Sequence, residues 1–184
     1  PVFVDVDPES FCIDSEKIKR KISKKTKLIV AINTYGNICN FEEIIKIGKK
    51  NNILILEDAA ESLGSTLNNK QSGIFGDFST FSFQATKTIT TGEGGMIATK
   101  LSSEIYNKMK LYRSHGVSKE KYYHLLPGNN FRLTNLQAAI GYSQLKRINA
   151  IKKRRMEIFS LYSEIFFKEK DIQLQKFNKN INPM

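Results

Sequence analysis

Two residues in this chain have the type and setting for covalent chemistry, Lys87 and Asp58. Lys87 lies in the stretch Phe78–Met96, FSTFSFQATKTITTGEGGM. There Phe78, Phe81 and Phe83 predict a buried strand, and Gly92, Gly94 and Gly95 a tight turn. Between Phe83 and Gly92 it is the single charged residue. Apolar neighbours disfavour the charged form of an amine, and a free amine can attack a carbonyl to form a Schiff base. Asp58 follows the apolar run ILIL, Ile53–Leu56. Pyridoxal phosphate (PLP) chemistry uses such a lysine together with an acid that keeps the pyridine nitrogen protonated, which makes the ring an electron sink. A solvated loop lysine and an aspartate that caps the next turn are the plainer uses of the same two residues.

The elements that must position this pair follow from the hydrophobic pattern. Val2–Val6 alternates and predicts a short strand. Asp14 or Ser15 can cap a helix over Glu16–Ile22. Lys27–Ile32 is a continuous apolar run after its first residue, the pattern of a strand buried on both faces, and Ile53–Leu56 is another. Between them Phe41–Lys50 has helical spacing at Ile44, Ile45 and Gly48. Phe78–Phe83 and Met96–Thr99 predict two more strands, with TTGEGG as the turn before the second. Helices are expected near Ser103–Tyr112, Asn135–Leu145 and Ile151–Phe167. Alternating strands and helices indicate an α/β fold, a mostly parallel sheet flanked by helices. Ligands gather beyond the carboxyl ends of the strands of such a sheet, where Asp58 and Lys87 both fall.

The 184 residues suffice for a domain with a real core, and 40% of them are hydrophobic. The net charge is +11, but the positive residues are scattered apart from Lys17–Lys27 and Lys146–Arg155, and no nucleic-acid-binding motif accompanies them. Compositional drift or a weakly anionic partner accounts for the excess. Cys12 and Cys39 are too few for a disulfide framework or a metal site. No secretory leader and no bilayer-length apolar run is present, so no membrane is expected and a cytoplasmic protein is the default. The chain opens already in a strand and stops just after a helix, which reads as a piece of a longer protein.

LEDAAESLGS (Leu56–Ser65), the stretch Gly76–Thr99 and NNFRLTNLQAAIGYSQLKRI (Asn129–Ile148), with PVFVDVDPESFCID (Pro1–Asp14), resemble the DegT/DnrJ/EryC1/StrS family along nearly the whole chain. These are sugar-nucleotide aminotransferases with the aspartate-aminotransferase-like fold, PLP-dependent transferase fold type I. The resemblance implies that Lys87 tethers the cofactor and Asp58 pairs with its pyridine nitrogen. It further implies that Ala60 packs against the ring, Glu61 contacts the ring hydroxyl, Ser82 bonds the phosphate, and Asn130 reaches the phosphate of a neighbouring subunit. A homodimer with shared active sites follows from that last role. Ala60 as simple packing and Ser82 as a strand hydroxyl are the plainer readings. Arg132 and His115 are read as structural, holding a loop and a turn.

The resemblance also implies the activity: an amino group moved from an amino acid, glutamate, to a nucleotide-linked keto sugar. The motifs look closest to perosamine synthetase-like members that aminate C4 of a 4-keto-6-deoxy sugar, with C3 amination as the rival. The sugar nucleotide, being anionic, would give some of the basic residues a use. A branch of the family carries His in place of the lysine and dehydrates instead, and Lys87 argues against it. Departures from the family pattern occur at Asn33, where a His is frequent, at Gln84–Thr86 before the lysine, and at Asn129, where a Tyr is common. Residues 1–150 are expected to be the central part of an incomplete large PLP-binding domain, and 151–184 a helix leading into a mostly missing small C-terminal domain. Alone, such a piece is expected to bind the cofactor weakly and to be inactive. A truncated, non-catalytic remnant or a regulatory relative is the competing reading.

Overall fold

The computed structural model describes residues 1–184 apart from 118, 121, 178 and 179. Its centre is a four-stranded sheet in the order β1-β2-β5-β6, formed by β1 (Leu28–Ile32), β2 (Leu54–Asp58), β5 (Phe78–Ser82) and β6 (Gly95–Thr99). β1, β2 and β5 run parallel; β6 runs antiparallel to β5. A second, small sheet in the order β4-β3-β7 joins β3 (Thr66–Leu67), β4 (Lys70–Gln71) and β7 (Ile181–Asn182). The β3–β4 hairpin turns on Asn68 and Asn69, both at positive φ, as a two-residue loop of this hand requires.

The helices start where capping chemistry allows. Asp14 accepts from the backbone of Glu16 and Lys17, so α1 spans Ser15–Lys21. Asn40 caps α2 (Phe41–Asn51), which ends on left-handed Asn52. Ser102 caps α3 (Ser103–Arg113). Thr134 and Gln137 form a reciprocal capping box at α4 (Asn135–Leu145), and α5 spans Ile148–Phe166. All five predicted helices are present, within a few residues of their expected bounds.

The core forms where α1 and α2 lie on one face of the sheet. Ile29, Ala31 and Ile55 pack there against Ile18, Phe41, Ile44 and Ile47. Phe41 is fully buried and stacks on Phe75 with ring centroids 5.2 Å apart. Phe41→Ala is therefore expected to cost about 3–5 kcal/mol, read as a lower urea midpoint. Buried Cys12 and Cys39 face this core; the neighbouring Cys12 thiol and then burial push the Cys39 thiol upward, and its S–H donates to Ile32 O at 3.1 Å.

Two expectations are corrected. Val2–Val6 is not a strand: apart from one bridge between Val6 and Ile13, no neighbouring strand pairs with it among the described residues, and Val2 and Phe3 stand exposed. A β-rich segment without a ladder partner does not become a strand. Neither is β2 buried on both faces, since Leu54 is 44% exposed beside buried Ile55, nor is β1. Its residues alternate, with Ile29 and Ala31 inside and Leu28, Val30 and Ile32 at 44%, 44% and 48% exposure. The cause is one-sided cover: the helices lie under Ile29 and Ala31, and β1 borders an open, mostly apolar groove of about 650 Å3 lined also by Ile18, Val2 and Phe3.

The C-terminal segment returns to the sheet. Gln175 Nε2 donates to Ser10 O and Thr34 O, β7 pairs with β3, and Met184 packs against Gly36 and Gly64. Lys152 on α5 reaches Gly64 O at 3.2 Å, and burial lowers its pKa. No helix among the described residues is long and apolar enough to cross a membrane.

Candidate active site

The strand register sets the site. In the parallel ladder Ile32 lies beside Asp58, and Asp58 beside Thr80. Side chains alternate along a strand, so Asp58 and, two residues past Thr80, Ser82 share one face of the sheet, while Glu57 turns to the other. Asp58 Oδ1 accepts from Ala60 N at 3.1 Å and from Thr80 Oγ1 at 3.2 Å. Among the described residues Oδ2 has no partner, which leaves one carboxylate oxygen for a ring N–H. Ser82 Oγ accepts from Gln84 N at 3.3 Å, and its own proton remains available to an anionic oxygen.

Lys87 sits on a loop that leaves the sheet at Phe83 and closes on itself. Thr91 N donates to Phe83 O at 2.9 Å, and Lys87 N to Gln84 O at 3.0 Å. α4 braces the loop from outside: Gln144 Nε2 donates to Thr90 O at 2.6 Å, and Gln144 Oε1 accepts from Thr90 N at 3.1 Å. The TTGEGG stretch is a turn into β6, with Gly92 and Gly94 at positive φ, as expected.

The lysine's surroundings differ from the apolar setting inferred from its flanking phenylalanines. Its Nζ donates to Glu61 Oε1 at 3.2 Å, an ion pair with side chains 22% and 32% exposed. The other oxygen, Oε2, accepts from Tyr35 N at 3.1 Å. Glu61 lies three residues past Asp58, so the loop after β2 links the acid to the amine. Lys87, Glu61 and Asp58 with Ala60 thus gather at the carboxyl ends of β2 and β5, and Ser82 lies on the same strand end. Asn130 does not join them: it is exposed, bridges Ser114, and its Oδ1 accepts from Arg132 N and Nε. His115 occupies a positive-φ turn, and its backbone carbonyl is contacted by His124 Nδ1 at 2.8 Å.

Beneath this cluster lies a buried polar network that the sequence reading missed. Glu57 has no exposed surface and no cation beside it among the described residues. Its Oε1 accepts from Gly73 N at 2.7 Å, Asn33 Nδ2 at 2.9 Å and Ser72 Oγ at 3.2 Å; its Oε2 accepts from Phe75 N at 2.8 Å and Gly76 N at 3.4 Å. Asn33 is fully buried, and its Oδ1 accepts from Cys39 N at 2.9 Å. Asn33 thereby ties the turn after β1 to Glu57 and to the start of the segment before α2. The available signal was strand alternation, since Glu57 shares its face with Ile55.

Comparison with known proteins identifies the family and the fold. The sequence model of the DegT/DnrJ/EryC1/StrS aminotransferase family matches residues 1–183. A GDP-perosamine synthase of Caulobacter vibrioides is 41% identical over 165 residues, covering 89% of this chain and 44% of that protein. The structure of Helicobacter pylori PseC, an aminotransferase involved in the biosynthesis of pseudoaminic acid, superposes with a TM-score of 0.86 at 38% identity, over 92% of this chain and 46% of that one. The Escherichia coli GDP-4-keto-6-deoxy-D-mannose-3-dehydratase with bound hydrated PLP superposes with a TM-score of 0.87 at 34% identity, over 96% of this chain and 50% of that one. The chain spans about half the length of the relatives it matches. The fold is that of the PLP-dependent aminotransferases, and the chain belongs to the DegT/DnrJ/EryC1/StrS aminotransferase family.

Proposed function

We propose that the complete polypeptide is a cytoplasmic PLP-dependent aminotransferase that moves an amino group from an amino acid, glutamate, to C4 of a nucleotide-linked 4-keto-6-deoxy sugar. The observation that carries this reading is the amine of Lys87 joined through Glu61 to the loop that leaves Asp58, with one Asp58 oxygen unengaged among the described residues. The residues fit the cofactor. Asp58 Oδ2 would accept the ring N–H, Ser82 Oγ would donate to the phosphate, Ala60 would pack on the ring, and Glu61 would meet its hydroxyl. When bound, the cofactor supplies an electron sink that acidifies the carbon carrying the amino group.

The chain's own residues do the rest. Lys87 must leave Glu61 before its Nζ can tether a carbonyl. With the cofactor and donor bound, the Lys87 amine would take the proton from the donor carbon and return one to the sugar carbon. Tyr35 N–H keeps Glu61 oriented while Lys87 moves. Asn130, exposed and outside this cluster, is proposed to serve the phosphate in the second subunit of a homodimer with shared sites. The domain division stays part of the proposal: 1–150 from the large domain, 151–184 leading to the small one.

The Escherichia coli relative is a dehydratase, so the fold supports a second chemistry. Lys87 favours amino transfer here, because an amine can both tether and carry protons. Loading the complete polypeptide with PLP, reducing with borohydride and mapping the modified peptide tests the assignment; label on any residue other than Lys87 overturns it. In the same protein Asp58→Asn is expected to retain that label while slowing the glutamate half-reaction at least about a hundredfold in single-turnover absorbance. An unchanged rate would remove Asp58 from its role.

A further inference from the structure

We infer that Tyr35 is a specificity-determining residue whose ring contacts the sugar portion of the nucleotide-linked substrate; the inference rests on the amino-transfer reading above. Tyr35 lies in the short 3-10 turn Thr34–Gly36 beyond the carboxyl end of β1, and its backbone is left-handed at φ 52, ψ 40. That conformation is uncommon for a bulky residue, and such outliers persist where the surrounding structure over-determines them. The turn is held from every side. Asn33 before it is locked into the Glu57 network. Thr34 O accepts from Gln175 Nε2 and Gly36 O from Ser65 Oγ. Gly36 lies so close to the Met184 carbonyl that a Cβ there would come within 2.9 Å of it.

Tyr35 N–H donates to the carboxylate that pairs with Lys87. Its side chain has no partner among the described residues, and Tyr35 is 68% exposed. A turn fixed by its own backbone hydrogen bonds, with its N–H on the carboxylate that pairs with Lys87 and its aromatic side chain exposed, is the arrangement of a preorganised contact. A phenol ring offers an apolar face to the C–H surface of a pyranose and a hydroxyl to its oxygens.

The test uses the complete PLP-loaded polypeptide with GDP-4-keto-6-deoxy-D-mannose as the probe. Tyr35→Asn preserves the backbone N–H and tolerates the left-handed conformation. It is expected to raise KM for the probe at least tenfold, with the bound-cofactor absorbance and Tm unchanged and the glutamate half-reaction, which depends on Glu61 held by the backbone N–H, slowed less than threefold. Tyr35→Phe, which keeps the ring, is expected to stay within threefold. A KM within twofold of wild type in Tyr35→Asn overturns the inference alone. So does a variant whose subunit dissociation changes while KM does not, since the ring then serves an interface between copies. A wild type that loads PLP at Lys87 yet neither binds nor turns over any sugar nucleotide ends the amino-transfer reading, and this inference with it.

Discussion

Lys87→Ala in the complete polypeptide is expected to lower amino transfer by about a thousandfold or more, because it removes the tethering nucleophile and the proton carrier together. Lys87→Arg separates these roles from charge. Arginine can keep the ion pair with Glu61, now 3.2 Å from the lysine, but it does not deprotonate to attack a carbonyl. Both variants are therefore expected to be equally inactive. Folding is expected to change little in either, since a partly exposed pair contributes about 0–1 kcal/mol. Single-turnover kinetics with glutamate measure the first effect and urea denaturation the second. An arginine variant with a tenth of wild-type activity would mean that Lys87 acts as a charge and not as a nucleophile.

The second large effect is on stability. Glu57→Ala is expected to cost at least about 3 kcal/mol, a large part of the stability of an ordinary domain. Five donors converge on this carboxylate: three backbone N–H groups, the Asn33 amide and the Ser72 hydroxyl. Removing the acceptor leaves buried donors unpaired, at about 1–3 kcal/mol each where water does not enter. Glu57→Gln keeps the shape but turns an NH2 group toward N–H donors, so it is expected to lose at least about 2 kcal/mol. Denaturation midpoints at fixed pH decide the matter. A loss below 1 kcal/mol in the alanine variant would mean that the loop over residues 72–76 rearranges to satisfy its own backbone. Because Asn33 leads into the turn that grips Glu61, a destabilised Glu57 variant should also misplace Lys87.

These two expectations differ in how much of them the sequence disclosed. Lys87 and Asp58 are legible as a lone amine and an acid at strand ends, because a parallel sheet of this kind sends its functional groups to one edge by topology. The helices are legible for a similar reason. Asp14, Ser102 and Thr134 cap them through short-range hydrogen bonds that any chain with those residues can make. The β3–β4 hairpin was missed because Asn68-Asn69 lacks the glycine that usually marks a left-handed turn, and its strands are only two residues long. The failure at Val2–Val6 has the opposite cause: the local propensity is present and the neighbouring strand is not.

By itself the sequence determined the order of the five helices and of the four strands of the central sheet, and which amine and acid lie at the carboxyl ends of those strands. These depend on the period of the side chains and on contacts a few residues apart. Tertiary structure decided three things: that one face of β1 lies open, that Glu57 points inward to gather donors from residues 33, 72, 73, 75 and 76, and that Tyr35 N–H and Lys87 Nζ meet on opposite oxygens of Glu61. Each of these joins groups distant along the chain. Their meeting depends on how the sheet stacks its strands and on which helices come to cover it, and neither is written in any local run of residues.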